Sequence, residues 1–151
     1  MNRVGYDFRE GSKAKMAGKL LVKDLMTRDV KVVGPDTSVK EVVAAMNKFG
    51  VGSMIVVQDD KPVGVISERD VLRRVVEPCL SPEAVTAGQI MTSPVVTICE
   101  SASIDEAVKL MAKRRVRKIP VMKKEKLVGI ITYTDIVSKV LSMVSALGEL
   151  I

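Results

Sequence analysis

The stretch GVISERD, residues 64–70, and the stretch GIITYTD, residues 129–135, both close on an aspartate. Each reads Gly, two β-branched residues, a small hydroxyl residue, two variable positions, then Asp. A hydroxyl three residues ahead of a carboxylate has the form of a capping box, in which the two side chains satisfy free amides of a helix's first turn. Asp70 and Asp135 occupy pseudo-symmetric positions and do not face each other as an acid–base pair. The chain has no His, the commonest general base and metal ligand, and offers no nucleophile–base pair. Catalysis is therefore not expected, and neither is a metal.

The elements that hold these residues follow from a repeat. The two stretches are offset by 65 residues, and the offset holds without a gap elsewhere. Met26-Thr27 matches Met91-Thr92, Ser38 and Glu41 match Ser103 and Glu106, and Val63-Gly64 matches Val128-Gly129. An ungapped register over roughly 55 residues marks a structural duplication. Each copy reads strand, helix, strand, strand, helix. In the first copy, strands are expected over 30–33, 53–57 and 62–67, a helix over SVKEVVAAMNKFG, and a second helix from ERDVLRRVV. The apolar positions Val39, Val42, Val43 and Met46 fall at helical spacing, Ser38-x-x-Glu41 opens that helix, and Gly50 stops it. The second copy repeats the order over 95–98, 103–113, 118–122 and 126–132, with a helix from 133 that runs close to the C-terminus. The expected organisation is an N-terminal extension at 1–20, a first unit at 21–77, a linker at 78–85, a second unit at 86–143 and a helix end at 144–151. One such unit buries too little surface to be comfortable alone, so two units sharing a seam between their sheets are expected.

Composition agrees. Apolar residues make up 47% of the 151 residues but aromatics only 3%, so the core must be aliphatic. Cys79 and Cys99 have no ligand or redox spacing, and with no secretory segment in view free thiols in a reducing cytoplasm are expected. No stretch reads as a membrane span. The net charge of +6 is concentrated in the N-terminal segment and in KRRVRK at 113–118. A basic surface attracts phosphate in any form, nucleic acid included. Arg114 and Arg115 fit the role of cations at a helix C-terminus, whereas Arg117 and Lys118 enter a strand.

The opening motifs VKDLMT and AGQIMT, the strand VRKIPV, and the closing Gly-to-Asp motif, all in order and in register, resemble the tandem CBS (cystathionine β-synthase) domain pair called a Bateman module. The resemblance covers about residues 21–143. It implies an α/β (α+β) fold of two pseudo-twofold units packed through their sheets. It also implies that the closing Ser/Thr and Asp touch the sugar and phosphate of an adenosine ligand: AMP, ADP, ATP or an S-adenosyl compound such as S-adenosylmethionine. A carboxylate can accept both hydroxyls of a ribose, and a hydroxyl with first-turn amides suits a phosphate. By the same resemblance each site draws on both units. One site would combine Ile130, Thr132, Thr134 and Asp135 with Lys31, Val51, Gly52 and Ser53. The other would combine Val65, Ser67, Arg69 and Asp70 with Val96, Val116, Arg117 and Lys118. Arg117 and Lys118 are placed to hold phosphates for either site, and the Asp135 site is expected to bind nucleotide the more tightly. The function implied is a stand-alone regulatory module, a homodimer that passes a ligand signal to an unidentified protein partner. The competing reading is a nucleic-acid-binding protein using the basic arm and residues 113–118. The low aromatic content speaks against single-strand stacking, and no DNA-reading motif is present.

Overall fold

The computed structural model describes residues 19–149. The expected N-terminal extension, apart from Lys19 and Leu20, lies outside the described residues. The rest divides into two compact units, residues 30–95 and residues 19–29 with 96–149.

In chain order the elements are α1 (Val22–Leu25), β1 (Val32–Val33), α2 (Val39–Phe49), β2 (Ser53–Gln58), β3 (Lys61–Ser67) and α3 (Glu68–Val71). Over Leu72–Val76 α3 continues with π-helical winding. There follow α4 (Ala87–Ile90), β4 (Ile98–Cys99), α5 (Ile104–Arg114), β5 (Lys118–Lys123), β6 (Lys126–Thr132) and α6 (Tyr133–Gly148). The expected strand–helix–strand–strand–helix order is present in both copies, and the fold is mixed α/β with two three-stranded sheets.

In the first unit the sheet order is β1-β2-β3. The short β1 runs parallel to β2, and β3 returns antiparallel. The return is tight because Asp59 and Asp60 both adopt left-handed φ, 51° and 63°, as a two-residue hairpin turn demands. On α2 the helical spacing puts Val39, Val42 and Met46 against Met54, Val56 and Ile66 of the sheet. Ser38 caps α2 by accepting from the Glu41 amide at 3.2 Å. At the matching Ser103 both halves of the box form: Ser103 Oγ accepts from the Glu106 amide at 3.1 Å, and Glu106 Oε2 accepts from the Ser103 amide at 2.8 Å. The second unit has the same plan, with sheet order β4-β5-β6 and a core of Ala107, Leu110, Met111, Ile119, Val121, Ile131 and Ile136.

The one-turn helices α1 and α4 each belong to the unit built mainly from the other copy. Val22 and Ala87 are fully buried there. The Val22 amide donates to Ala102 O at 2.8 Å, and Thr27 and Ile130 exchange both backbone bonds at 2.9 Å. In the first unit the Ala87 amide donates to Thr37 O at 2.8 Å, and Thr92 exchanges both bonds with Val65. The methionines of the repeated Met-Thr pair pack onto glycines of the last strand, Met26 on Gly129 and Met91 on Gly64. A glycine is required at each place because a Cβ there would meet the methionine side chain. These two segments therefore anchor the edge of β3 and of β6 just ahead of the closing motifs.

Candidate functional site: two matched motif corners

The sixteen residues singled out from the sequence divide evenly. Lys31, Val51, Gly52, Ser53, Val65, Ser67, Arg69 and Asp70 lie in the first unit, and Val96, Val116, Arg117, Lys118, Ile130, Thr132, Thr134 and Asp135 in the second.

In the second unit the pairing of Lys118 with Thr132 sets the start of β5 beside the end of β6. The Tyr133 amide donates to Arg117 O at 2.8 Å, which fixes the residue before the strand to the first turn of α6. The Arg117 guanidinium stands 5.8 Å from the centre of the Tyr133 ring. Thr132 caps α6: its amide donates to Asp135 Oδ2 at 2.9 Å, and its Oγ1 accepts from the Asp135 amide at 3.1 Å. Asp135 Oδ1 takes no hydrogen bond among the described residues. Arg117, Lys118 and Thr134 are exposed, and Asp135 is half-buried. Ile130 offers only its half-buried side chain, since both of its backbone groups are engaged by Thr27. Val96 and Val116 pack against the edge of this unit's core.

In the first unit the corresponding pairing is Ser53 with Ser67, and the Glu68 amide donates to Gly52 O at 3.0 Å. The Glu68 carboxyl group lies over Gly52, 3.4 Å from where a Cβ would stand. The box is the same but fuller. Asp70 Oδ2 accepts from the Ser67 amide and from Ser67 Oγ, both at 2.9 Å. Asp70 Oδ1 accepts from Thr92 Oγ1 at 3.2 Å. Both carboxylate oxygens of Asp70 are thus in use, whereas Asp135 keeps one open. Arg69 is exposed, Val65 exchanges its backbone bonds with Thr92, and the Val51 amide donates to Met46 O at 3.0 Å. The Lys31 ammonium stands over the Phe49 ring, 4.5 Å from its centre.

Both motifs are capping boxes in fact as well as in form. A cap uses one carboxylate oxygen and leaves the other to serve a ligand, so the two roles are compatible at Asp135 without rearrangement. At Asp70 a ligand hydroxyl would compete with Thr92. Sequence reasoning did not single out Thr92, Glu68 or Tyr133. For Thr92 the signal was there, in the Met-Thr pair that recurs at the 65-residue offset.

The arrangement is that of a duplicated fold, and comparison with known proteins decides which one. A model of the CBS domain matches residues 22–77 and again 87–142. The chain belongs to the CBS-domain family. An uncharacterized protein of Methanopyrus kandleri is 35% identical over 130 residues, covering 85% of this chain and 66% of its own length. Among solved structures, an uncharacterized conserved protein from Pyrococcus horikoshii superposes with a TM-score of 0.71 at 34% identity, covering 82% of this chain and 94% of that one. The CBS domain pair of protein MJ0100, solved in complex with 5′-methylthioadenosine and S-adenosyl-L-methionine, superposes with a TM-score of 0.71 at 25% identity over 82% of this chain and 97% of its own. No group of three or more His, Cys, Asp or Glu stands ready for a metal ion among the described residues. No helix among them is long and apolar enough to cross a membrane.

Proposed function

We propose that this CBS pair is a regulatory module that binds an adenosine-containing ligand (AMP, ADP, ATP or an S-adenosyl compound) and reports it to a partner chain. The observation that carries the reading is the open Oδ1 of Asp135, held by its cap beside an exposed Arg117 and Lys118. An open carboxylate oxygen is an acceptor for ribose hydroxyls, and the two cations are donors for phosphate. The ligands in the MJ0100 complex are both adenosine compounds, which supports the same class here. The module works without catalysis of its own, so its output depends on binding energy that favours one conformation.

The partner surface in this reading begins with a second copy of the chain. Helix α6 turns Ile136 into the core but exposes Val137, Val140, Leu141, Val144 and Leu147 along one side. That stripe continues an apolar depression of about 650 Å³ between α5 and α6, walled by Val108, Met111, Val116, Tyr133, Ile136 and Val137. An exposed patch of this kind marks an interaction surface.

The test is thermal melting with adenosine, AMP, ATP and S-adenosylmethionine. A ligand that binds only the folded protein raises the melting temperature by mass action. The reading predicts an upward shift with at least one of these compounds. No shift with any of them at millimolar concentration would overturn it.

A further inference from the structure

The apolar depression between α5 and α6 is uncovered among the described residues. Met111 and Ile136 form its buried floor, and Val108, Tyr133 and Val137 stand exposed on its walls. Its charged lining is Arg115 and Arg117, both exposed. Such a surface favours an occupant that brings apolar side chains with carboxylates beside them.

The chain carries such a segment. Residues 1–18, outside the described residues, join the second unit at the start of α5. There Leu20 O accepts from the Ile104 amide at 3.2 Å, and Leu21 bridges to Ser103. From that junction α5 runs to the depression over 11 residues, about 16 Å at the helical rise. The stretch from Arg9 to Lys19 can extend over about 36 Å, so its reach exceeds the distance along α5. Its composition is that of an anchor. The chain has 2 Phe and 2 Tyr and no Trp, and half of these aromatics, Tyr6 and Phe8, stand in the extension. Val4, Tyr6 and Phe8 alternate with polar or small residues, which places all three on one side of an extended segment. Asp7 and Glu10 are the only acids in residues 1–19, and both stand beside the aromatic pair.

We propose that residues 4–10 of the chain's own extension dock in this depression. Tyr6 and Phe8 are the anchors against Val108, Met111 and Val137, and Asp7 and Glu10 face Arg115 and Arg117. Aromatic side chains suit this role because each buries a large area with few rotamers to lose. A second copy offers the same segment, but the tether gives the chain's own segment an effective concentration in about the millimolar range, well above micromolar protein. The docked segment covers the start of α6 and leaves Val140, Leu141, Val144 and Leu147 for a second copy. This docking does not depend on adenosine binding.

NMR on the unaltered full chain tests it. Nuclear Overhauser contacts are expected from the Tyr6 and Phe8 rings to the methyl groups of Val108, Met111 and Val137. They should persist in a chain carrying Leu141→Lys and Val144→Lys, in which the later turns of α6 no longer suit a second copy. Tyr6→Ser with Phe8→Ser should move the Val108 and Val137 methyl resonances and lower the melting temperature by about 2–4 °C. Absence of the ring-to-methyl contacts, or methyl resonances unmoved by Tyr6→Ser with Phe8→Ser, would overturn the proposal. So would contacts that vanish with Leu141→Lys and Val144→Lys, or that a mixture of isotope-labelled and unlabelled chains shows to cross between chains. In either of those cases the occupant is a second copy. None of these outcomes bears on adenosine binding, which the ligand melts test separately.

Discussion

Ser67–Asp70 and Thr132–Asp135 are the same capping box on the same backbone, yet they are not in the same state. Asp70 spends both oxygens inside its unit, one on Ser67 and one on Thr92. Asp135 spends one on Thr132 and leaves the other open. Duplication gave the chain two copies of a corner, and side chains around the box differentiated them. The difference shows what the copies share and what they do not: the box is structural in both, and only the residues around it decide how many carboxylate oxygens are engaged.

The second helices of the two units differ most. The α3 segment ends within nine residues, its last turn π-wound, whereas α6 runs on to Gly148 with an uncovered apolar stripe in which Leu141 and Leu147 are each 63% exposed. Self-association should therefore depend on α6. Light scattering should give twice the chain mass of 16.4 kDa at micromolar concentration, and Leu141→Lys with Val144→Lys should return it to the mass of one chain. A monomer before any substitution would break this contrast.

A smaller effect separates the two glycines under the Met-Thr pairs. A Cβ on Gly129 would lie 2.6 Å from Met26 Sδ and 2.9 Å from Thr27 O, a backbone atom pinned by its own bridge. On Gly64 the nearest atoms all belong to the Met91 side chain, which can move. Gly129→Ala should cost about 2–3 kcal/mol in urea melts and Gly64→Ala about 1–2 kcal/mol. Equal costs would show that the backbone oxygen has room to give.

At the site, Lys118→Ala should weaken a phosphorylated ligand by about 1–3 kcal/mol and adenosine by little, measured by calorimetry. The matching Ser53→Ala should change neither ligand by as much.

The smallest effect concerns the ends of α2 and α5. Gly50 and Arg115 both cap their helix in the left-handed region, at φ 63° and 54°. Glycine does this freely and arginine does not. Arg115→Gly should stabilise by about 0.5–1 kcal/mol and Gly50→Ala should destabilise by a similar amount in the same melts.

Much of this fold was legible because its signals are local. Apolar spacing on Val39, Val42 and Met46 sets α2, and the matched spacing sets α5. The serine caps and the 65-residue offset delimit the copies. Strand ends were less legible. β1 is only Val32–Val33, shorter than the β-branched run at 30–33, because a strand lasts only as long as its partner pairs with it. On β4 the ladder starts at Ile98, where the side chain turns into the core, and not at Val95. The docking of α1 and α4 had no sequence signal: a single apolar turn carries no periodicity to say which sheet it covers. The closing aspartates were legible as a repeated phrase. The bond from Thr92 to Asp70 was not, since it joins residues 22 apart through the fold. Glu68 and Tyr133 stand at matching positions where the repeat varies, so the match that picks out the closing aspartates passes over them.

On the proposed function the repeated aspartate holds a ligand in addition to capping a helix. Adenosine calorimetry on Asp135→Ala and Asp70→Ala, beside a melt of each, tests it most directly. Loss of the cap alone costs about 1 kcal/mol of stability in either variant. Asp135→Ala should also weaken adenosine by about tenfold or more, with a smaller loss in Asp70→Ala, whose carboxylate is already engaged. Adenosine isotherms that match the unaltered protein in both variants would show that the two aspartates are helix caps and nothing more.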